Sequence, residues 1–500
     1  MVATTLTELV SDPYAKKKYL VILKPYKIST ASELTLYYSG EGFVTEPTDS
    51  PANTLFESRL VEPISFSRSM FSSGKLGGFS VPGFGEILMT NTDGGLDAFA
   101  DYAWDGRSVE VRVGQAGAAF EYYFTIFNGQ AKTVEFDDLF IRVIIRDNQN
   151  NFEVDFPNVL YAGSGGTEGA DSIANQPKPL CFGEVFNIEP VLVDAANNVY
   201  QVHNGQIEEI VTVYEGGHTL SGGQYSVDLT NGRFTLNSTS SYVVTADVKG
   251  AKPSGSYKQT VADIARHIVT TYGGLSDPSD LNTTSFSALN TANSSAVGIY
   301  VEKTTTVINV LDDLFNTIGA FYGFDRDGLF EVGQISLATG DPDFEFDKTN
   351  IIEITRLASE VPNYQVRVNY KKNYRTFSES EFHGSVSDAQ REYLLRDSNV
   401  AIATDSAILT PYPNSNALII PGLFAASATA TTEASRLLTI YKTQRDFYKI
   451  LVKTQPYTLK LNDVVKITFN RYNLSSGKLF RVISIVEDAA NNEVELELWG

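Results

Sequence analysis

The chain ends in three apolar runs, LNDVVKITF (residues 461–469), LFRVISIV (479–486) and EVELELW (493–499). In the last run, valine and leucine alternate with glutamate, which is the period of a half-buried strand. The two earlier runs are rich in Val, Ile and Phe and are bounded by Gly, Asn and Asp, which are turn residues. Residues 461–500 therefore predict three antiparallel strands.

Length and composition extend this prediction to the rest of the chain. Five hundred residues suggest about three or four domains. An apolar share of 42% is enough for sizeable cores, and the 26 Tyr and 30 Phe favour strands over long helices. We therefore predict a mainly β, multidomain fold, with α+β insertions where helical spacing appears.

The net charge of −21 at pH 7 is spread along the chain. Binding to a phosphate backbone needs Lys and Arg to displace counterions, so this charge disfavours nucleic-acid recognition. No apolar run approaches the roughly 18 residues of a membrane span. The first ten residues lack the basic and apolar regions of a signal peptide. We expect neither sequence-specific nucleic-acid binding nor a membrane span.

Metal and cofactor chemistry has few candidate ligands. Cys181 is the only cysteine, so one chain cannot build a cysteine-based metal cluster. The four histidines lie far apart, without metal-ligand spacing. Cys181 is predicted to be buried and inert, and His267, inside a helical pattern, to be a packed or surface histidine and not a catalytic one. We expect no cofactor and no metal.

Glycine-rich stretches at residues 163–170 and 250–255 divide the chain. They predict a strand-rich block at 1–162, a small all-β unit at 178–249, an α+β unit at 256–345 and a β unit at 346–500. The last block has a partly helical insertion at about 384–446, with a helix near 433–441. In the α+β unit, helical spacing begins near Val261 and Val307, and the polar tract 276–296 is predicted to be a surface loop. No repeat of fixed period is visible.

Each candidate for chemistry has a simpler structural interpretation. Asp325-Arg-Asp-Gly328 resembles the start of a calcium loop but lacks its twelve-residue spacing, and Asp-Gly favours a hairpin turn. Asp137 and Asp138 stand before a strand, which favours a solvated turn over an acid–base pair. The glycine-rich stretches match no phosphate-binding fingerprint. We therefore predict a protein that is not an enzyme, with no catalytic, cofactor-binding or metal-binding residue.

Three segments carry a family resemblance. They are GFGEILMTNTDGGLD (83–97) with its continuation to residue 114, residues 187–217 with NIEPVLVD and VYEGG, and the C-terminal stretch 461–499. Together they resemble tail hub proteins, also called tail-tip or baseplate hub proteins, of long-tailed bacteriophages and related gene transfer agents. The segments are spread over most of the chain, although the matching residues are a minority of it.

The resemblance implies tail-tube-like β-barrels in residues 1–162 and 346–500, and a homotrimer in which two barrels per chain form a pseudo-hexameric ring. It implies a virion component at the phage tail tip, assembled in the host cytoplasm, whose channel passes DNA during ejection. The implied partners are a distal tail protein, the tape-measure protein and a central fibre or receptor-binding protein. Some relatives hold an iron–sulfur cluster, which Cys181 alone cannot supply. Glu493, Glu495 and Glu497 become candidates for an acidic face, turned to solvent or lumen.

Two other functions stay open at this point. A receptor- or carbohydrate-binding tail component is suggested by the many tyrosines and by the polar tract 276–296. A cell-wall-degrading enzyme would need a carboxylate cleft or a metal site, and the sequence indicates neither.

Overall fold

A computed structural model describes residues 2–12, 14–71, 81–453 and 455–500, without the side chains of residues 455 and 456. The described part is mainly β, with six α-helices and several separate sheets, so the predicted fold class is confirmed. Residues 1, 13 and 72–80 of the first predicted block, and residue 454 of the last, lie outside the described residues.

The first block, residues 1–162, contains one short helix followed by thirteen described strands. The helix begins at a capping box in which Thr5 and Glu8 bond each other's backbone. The elements are α1 (Leu6–Ser11), β1 (Lys17–Leu23), β2 (Tyr26–Lys27), β3 (Ser32–Glu33), β4 (Leu36–Ser39), β5 (Phe43–Val44), β6 (Leu55–Ser58), β7 (Leu60–Ser69), β8 (Phe84–Thr90), β9 (Tyr102–Ala103), β10 (Arg107–Gln115), β11 (Phe124–Phe136), β12 (Phe140–Arg146) and β13 (Asp155–Phe156).

The small all-β unit is built from eight strands in two sheets. One sheet has the order β18-β17-β21-β14 and continues into the strand Gly298–Val301 of the next predicted block, and the other has the order β15-β16-β20-β19. The strands are β14 (Leu180–Ile188), β15 (Val191–Asp194), β16 (Val199–Gln201), β17 (Ile207–Glu215), β18 (His218–Thr219), β19 (Tyr225–Asp228), β20 (Arg233–Leu236) and β21 (Val244–Ala251).

The α+β unit contains the two predicted helices and one that the sequence did not indicate. Residues 276–296 were predicted to be a loop, which is wrong for their central part. Asn282 caps a helix there by accepting a hydrogen bond from Ser285 N, and Phe286 and Leu289 are buried one turn apart. The elements are α2 (Val261–Thr271), α3 (Thr283–Ala292), β22 (Gly298–Val301), β23 (Thr305–Thr306), α4 (Val307–Thr317), β24 (Ala320–Phe324) and β25 (Phe330–Gln334).

The last block combines sheet strands with an insertion that is only partly helical. Within residues 384–446 two strands lie between two helices along the chain. The three C-terminal strands predicted from the sequence are present. The elements are β26 (Phe344–Phe346), β27 (Ile351–Leu357), β28 (Gln365–Tyr370), α5 (Asp388–Leu394), β29 (Asn399–Thr404), β30 (Ala417–Phe424), α6 (Ser427–Tyr441), β31 (Phe447–Lys453), β32 (Val464–Ile467), β33 (Lys478–Asp488) and β34 (Glu493–Trp499).

Strands from the first and last blocks form one 15-stranded sheet. Its main path is β27-β31-β34-β33-β7-β8-β12-β11-β10-β1-β4-β6-β5, with β32 joined to β33 and β26 to β32. Buried side chains from both blocks share one hydrophobic core, which includes Val21, Ile87, Val143, Ile450 and Leu496. The ends of the chain thus meet in a single sheet.

The described strands do not form the closed barrels that the resemblance implied. The path is open at β27 and at β5, because the outer edge of β7 pairs with β33 and not with β6. The chain bends from β6 into β7 at Arg59. Its backbone N–H donates to the Ser39 carbonyl at 2.9 Å, and its carbonyl accepts from Thr90 N at 2.8 Å.

The two parts of this sheet repeat one arrangement of five strands. The order β7-β8-β12-β11-β10 in the first block matches β27-β31-β34-β33-β32 in the last, and corresponding strands follow the same order along the chain. We call these the N unit and the C unit. One bulge, at which an inserted residue bends a strand, occupies the same place in both units. It lies between Ala131 and Thr133 in β11 and between Val482 and Ser484 in β33.

A second bulge and an ion pair also recur. The register of β7 against β8 shifts between Leu60 and Glu62. The register of β27 against β31 shifts at the equivalent place, between Ile351 and Glu353. The pair Arg142–Glu86, with N···O 3.0 Å, corresponds to Lys449–Glu495 at 2.6 Å, with the charges exchanged between strands. The sequence has no repeat of fixed period because the insertions differ in length. Residues 358–446 separate β27 from β31, whereas residues 70–83 separate β7 from β8.

Candidate assembly site

The N unit and the C unit meet along one antiparallel pair of strands, β7 and β33. Five residue pairs lie opposite each other, from Ser69 and Ser484 to Ser65 and Asp488. We call this pairing the seam. The Ser484 hydroxyl donates to the Arg68 carbonyl at 3.2 Å, in addition to the ladder. Edge strands offer unpaired N–H and C=O groups, so a strand ladder at the seam can join the two units through their edges.

A buried ion cluster lies at the seam. The carboxylate oxygen Oε1 of Glu487 accepts from Arg68 Nη2 at 3.1 Å and from Arg326 Nε at 2.9 Å, and Arg326 Nη2 makes a further short contact with it. The exposed fraction is 2% for Glu487, 7% for Arg68 and 9% for Arg326. Each residue comes from a different predicted block, so one carboxylate connects the N unit, the α+β unit and the C unit.

The turn between β24 and β25 delivers Arg326 to the seam. Asp325 Oδ1 accepts from the backbone N–H of Asp327 and of Leu329, each at 3.0 Å, which confirms the predicted hairpin turn. Gly328 has φ +78°, and a Cβ there would lie 2.8 Å from the Asn128 carbonyl oxygen. The Asn128 amide donates to the Asp327 carbonyl at 2.9 Å. A side chain at Gly328 would therefore push the turn away from β11.

Apolar side chains from the same three blocks pack beside the ion cluster. Trp499, with 2% exposure, and Ile483 belong to the C unit, and Met70 and Phe71 follow β7. The guanidinium of Arg445 lies 5.9 Å from the Trp499 ring centre. The other buried members of this cluster are Phe321, Ile335, Ile440 and Phe447.

Burial shifts the titration of carboxyl groups near the seam. Desolvation, together with the neighbouring charge of Asp325, raises the pKa of Glu331 to about 7, and the charge of Arg68 opposes this shift. Desolvation also raises the pKa of Asp147 to about 6, although the backbone N–H groups of Gly83 and Gln149 stabilise its charged form. At neutral pH the folded chain therefore holds these protons more tightly than an unfolded chain does.

We expect Glu331→Gln to reduce the loss of stability at alkaline pH. A raised carboxyl pKa favours folding below the unfolded value of about 4.3, and this contribution is lost as pH rises through about 7. The gain in unfolding free energy from the substitution should be larger at pH 8 than at pH 5, by about 1–2 kcal/mol. Urea titrations at both pH values measure it, with the exposed Glu379→Gln as the control. Equal gains at both pH values would contradict the expectation.

The structure places the other sequence candidates apart from the seam. Asp137 Oδ1 accepts from Leu139 N and Phe140 N at 2.8 and 2.7 Å in an exposed turn, as predicted. Cys181 is buried, and burial raises the pKa of its thiol. His267 lies in α2, where burial lowers its pKa to about 4. In the described ranges, no three His, Cys, Asp or Glu side chains could share a metal ion.

The strand face that carries the C-terminal glutamates is less acidic than the sequence suggested, because lysines pair with two of them. Glu493 pairs with Lys453 at 2.8 Å and Glu495 with Lys449 at 2.6 Å on the neighbouring strand.

Among the helices in the described part of the chain, none combines the length and hydropathy of a membrane-crossing helix.

Sequence reasoning did not find the ion cluster. Arg68 and Glu487 are 419 residues apart, and Glu487 and Arg326 are 161 apart, so no local motif contains them. One signal was present. Arg68 continues the alternating face of Ile64 and Phe66, and a charge on an apolar face of a strand needs a buried partner.

No protein-family model and no curated protein sequence matches the chain. Three solved structures share part of its architecture. A tail protein from Neisseria meningitidis MC58 has 10% identity and a TM-score of 0.44, with 96% of each chain covered. The prophage MuSo2 43 kDa tail protein from Shewanella oneidensis has 12% identity and a TM-score of 0.41, covering 96% of this chain and 95% of that one. A chain of the native gene transfer agent virion has 12% identity and a TM-score of 0.43, covering 65% and 84%.

These structural neighbours are phage tail or virion proteins. At these identities and TM-scores, the likeness assigns no function to this chain.

Proposed function

We propose that this protein is a structural tail hub, a homotrimeric ring at the distal end of a phage tail that connects the tail tube to the tip and lines the DNA channel. The observation that carries the proposal is the repeat. One chain places two equivalent five-strand units side by side in one sheet, and the far edge of the C unit, β27, has no strand beyond it among the described residues. Two units per chain and three chains give six units in a ring.

The seam supplies the physical model for such a ring. It joins the units by a strand ladder and by the buried cluster of Arg68, Arg326 and Glu487. A closed ring would also cover the open β27 edge, which otherwise favours aggregation. Cyclic closure requires each unit to present the same pair of complementary edges, and the repeat provides them.

The remaining blocks would extend from the ring towards the tip. In this proposal residues 1–162 and 346–500 supply the tube-like domains, and residues 178–249 and 256–345 supply the extension. The partners would be a distal tail protein, the tape-measure protein and a central fibre or receptor-binding protein. The protein would be assembled in the host cytoplasm and reside in the virion. The net charge of −21 suits a channel from which DNA must leave without binding.

The proposal assigns no catalytic residue, cofactor or metal. The alternative of receptor or carbohydrate binding rested partly on residues 276–296, and α3 in that tract packs Phe286 and Leu289 into the core. That tract therefore offers less open polar surface than the sequence suggested, and the hub is the better-supported function.

We expect the purified chain to form a trimer of about three times 54.8 kDa. The physical reason is the open β27 edge, whose N–H and C=O groups gain partners only in an assembly. Light scattering after size-exclusion chromatography measures the mass, and labelling of the chain in tail particles locates it. A chain that stays monomeric at all concentrations and is absent from tail particles would overturn the proposal.

A further inference from the structure

The seam inside one chain predicts where two chains meet. In β33 the first residues pair with β32, and residues 484–488 extend beyond it and pair with β7. The equivalent strand β11 pairs with β10 up to Ala131, and its last residues, 132–136, extend beyond β10 in the same way. On that side they have no strand partner within the described residues.

We propose that β27 of a second copy pairs with residues 132–136 of β11, in the register that β7 and β33 adopt within one chain. This inference rests on the proposed function and specifies the surface by which its ring would close. The occupant is a second copy because only the C unit carries the counterpart of β7. Within one chain, β27 and β11 are separated by six other strands, so they are not neighbours.

The shared bulges fix the register of the proposed pairing. Thr133 and Ser484 follow equivalent bulges, so Phe136 corresponds to Glu487. Gly85 of β8 corresponds to Tyr448 of β31. The residues that lie opposite them, on β12 and β34, are equivalent.

The same comparison extends to β7 and β27. Phe66 of β7 lies opposite Gly85, and Arg356 of β27 lies opposite Tyr448, so Arg356 corresponds to Phe66. Within one chain Glu487 lies opposite Phe66. Between two copies, Phe136 should therefore lie opposite Arg356.

Burial at the seam contrasts with exposure at the free edges. Glu487 and Phe66 are 2% and 4% exposed where the units meet. Their counterparts Phe136 and Arg356 are exposed, with Phe136 at 45%. The free edges therefore expose the two positions that the seam buries. The opposed residues also suit each other, because a guanidinium packs well on an aromatic face.

Cysteine cross-linking tests the register directly. Residues directly opposite in an antiparallel pair have Cβ atoms about 4.5–5.5 Å apart, so a small approach of the two strands brings them to the roughly 3.5–4.5 Å of a disulfide. We expect the full chain with Phe136→Cys and Arg356→Cys to run, after mild oxidation and without reductant, as a covalent trimer. A mixture of the two single variants should give covalent dimers, and each single variant alone should give none. Cys181 is buried and does not interfere.

The controls separate this inference from the proposed function. Phe136→Cys with Thr355→Cys, one residue out of register, should give much less cross-linked product. A protein that is trimeric by mass but does not cross-link through 136 and 356 would overturn the inference and leave the hub proposal standing. A protein that is monomeric by mass and never cross-links would overturn both.

A charge on the free edge gives an independent test. Phe136→Asp would bury a carboxylate in the proposed pairing, so self-association should weaken about tenfold or more. Phe84→Asp changes an aromatic residue that is more exposed than Phe136, at 63%, and that lies on β8, away from both edges. It should leave self-association unchanged. Equal weakening by the two substitutions, or by neither, would contradict the inference.

Discussion

Replacement of Glu487 by leucine should lower the free energy of unfolding by about 3–5 kcal/mol. The carboxylate is the shared partner of Arg68 and Arg326, and all three side chains are buried. Its removal leaves two buried guanidinium groups without the carboxylate that accepts their hydrogen bonds. The buried charge that remains without its carboxylate destabilises the seam.

Denaturant unfolding followed by far-ultraviolet circular dichroism measures this loss, and hydrogen exchange locates it. We expect faster exchange at β7 and β33 than elsewhere in the sheet. The triple variant Arg68→Met, Arg326→Met, Glu487→Leu should regain most of the lost stability, because apolar side chains of similar volume replace the whole cluster. If the single variant were as stable as the parent, the cluster would not hold the units together.

Trp499→Ala should destabilise the chain by about 3–5 kcal/mol. The indole is 2% exposed and packs with apolar residues from the N unit, the α+β unit and the C unit. The substitution removes this apolar contact and leaves a cavity that several separate elements would have to fill. Trp499→Phe keeps a ring at the site and should cost less.

The readout for the Trp499 variants has to avoid indole fluorescence, because the chain has only two tryptophans. Thermal unfolding followed by circular dichroism is suitable. Removal of the exposed Phe84 side chain, as Phe84→Ala, serves as a surface control and should change stability little. Similar losses for Trp499→Ala and Phe84→Ala would contradict the assigned role of the indole.

Local patterns predicted the local structure well. The alternation of residues 493–499 identified β34, and helical spacing from Val261 and Val307 identified α2 and α4. These elements could be found because one face of each is apolar and the period of that face is visible in the sequence. Helix α3 was missed because serine, threonine and asparagine fill its exposed face, and only Phe286 and Leu289 mark the buried side.

The seam and the repeat could not be predicted from the sequence. Equivalent strands share topology and bulges but not residue types, as Glu86–Arg142 and Lys449–Glu495 show by exchanging charges. A bulge depends on how two strands pair, so it leaves no local sequence pattern. Arg68 and Glu487 were visible as charges within apolar strands, but their partnership appears only when strands from opposite ends of the chain are paired.

The separation of β7 and β33 along the chain also constrains the order of folding. During synthesis β7 leaves the ribosome hundreds of residues before β33. Its outer edge therefore lacks its native partner strand while most of the protein is made. The rest of the N unit can pair locally in that time, whereas the seam needs contacts of very high sequence separation, which form slowly. A chain truncated before β33 would carry a native-like N unit with an unsatisfied strand edge, and truncated products should therefore be the aggregation-prone species.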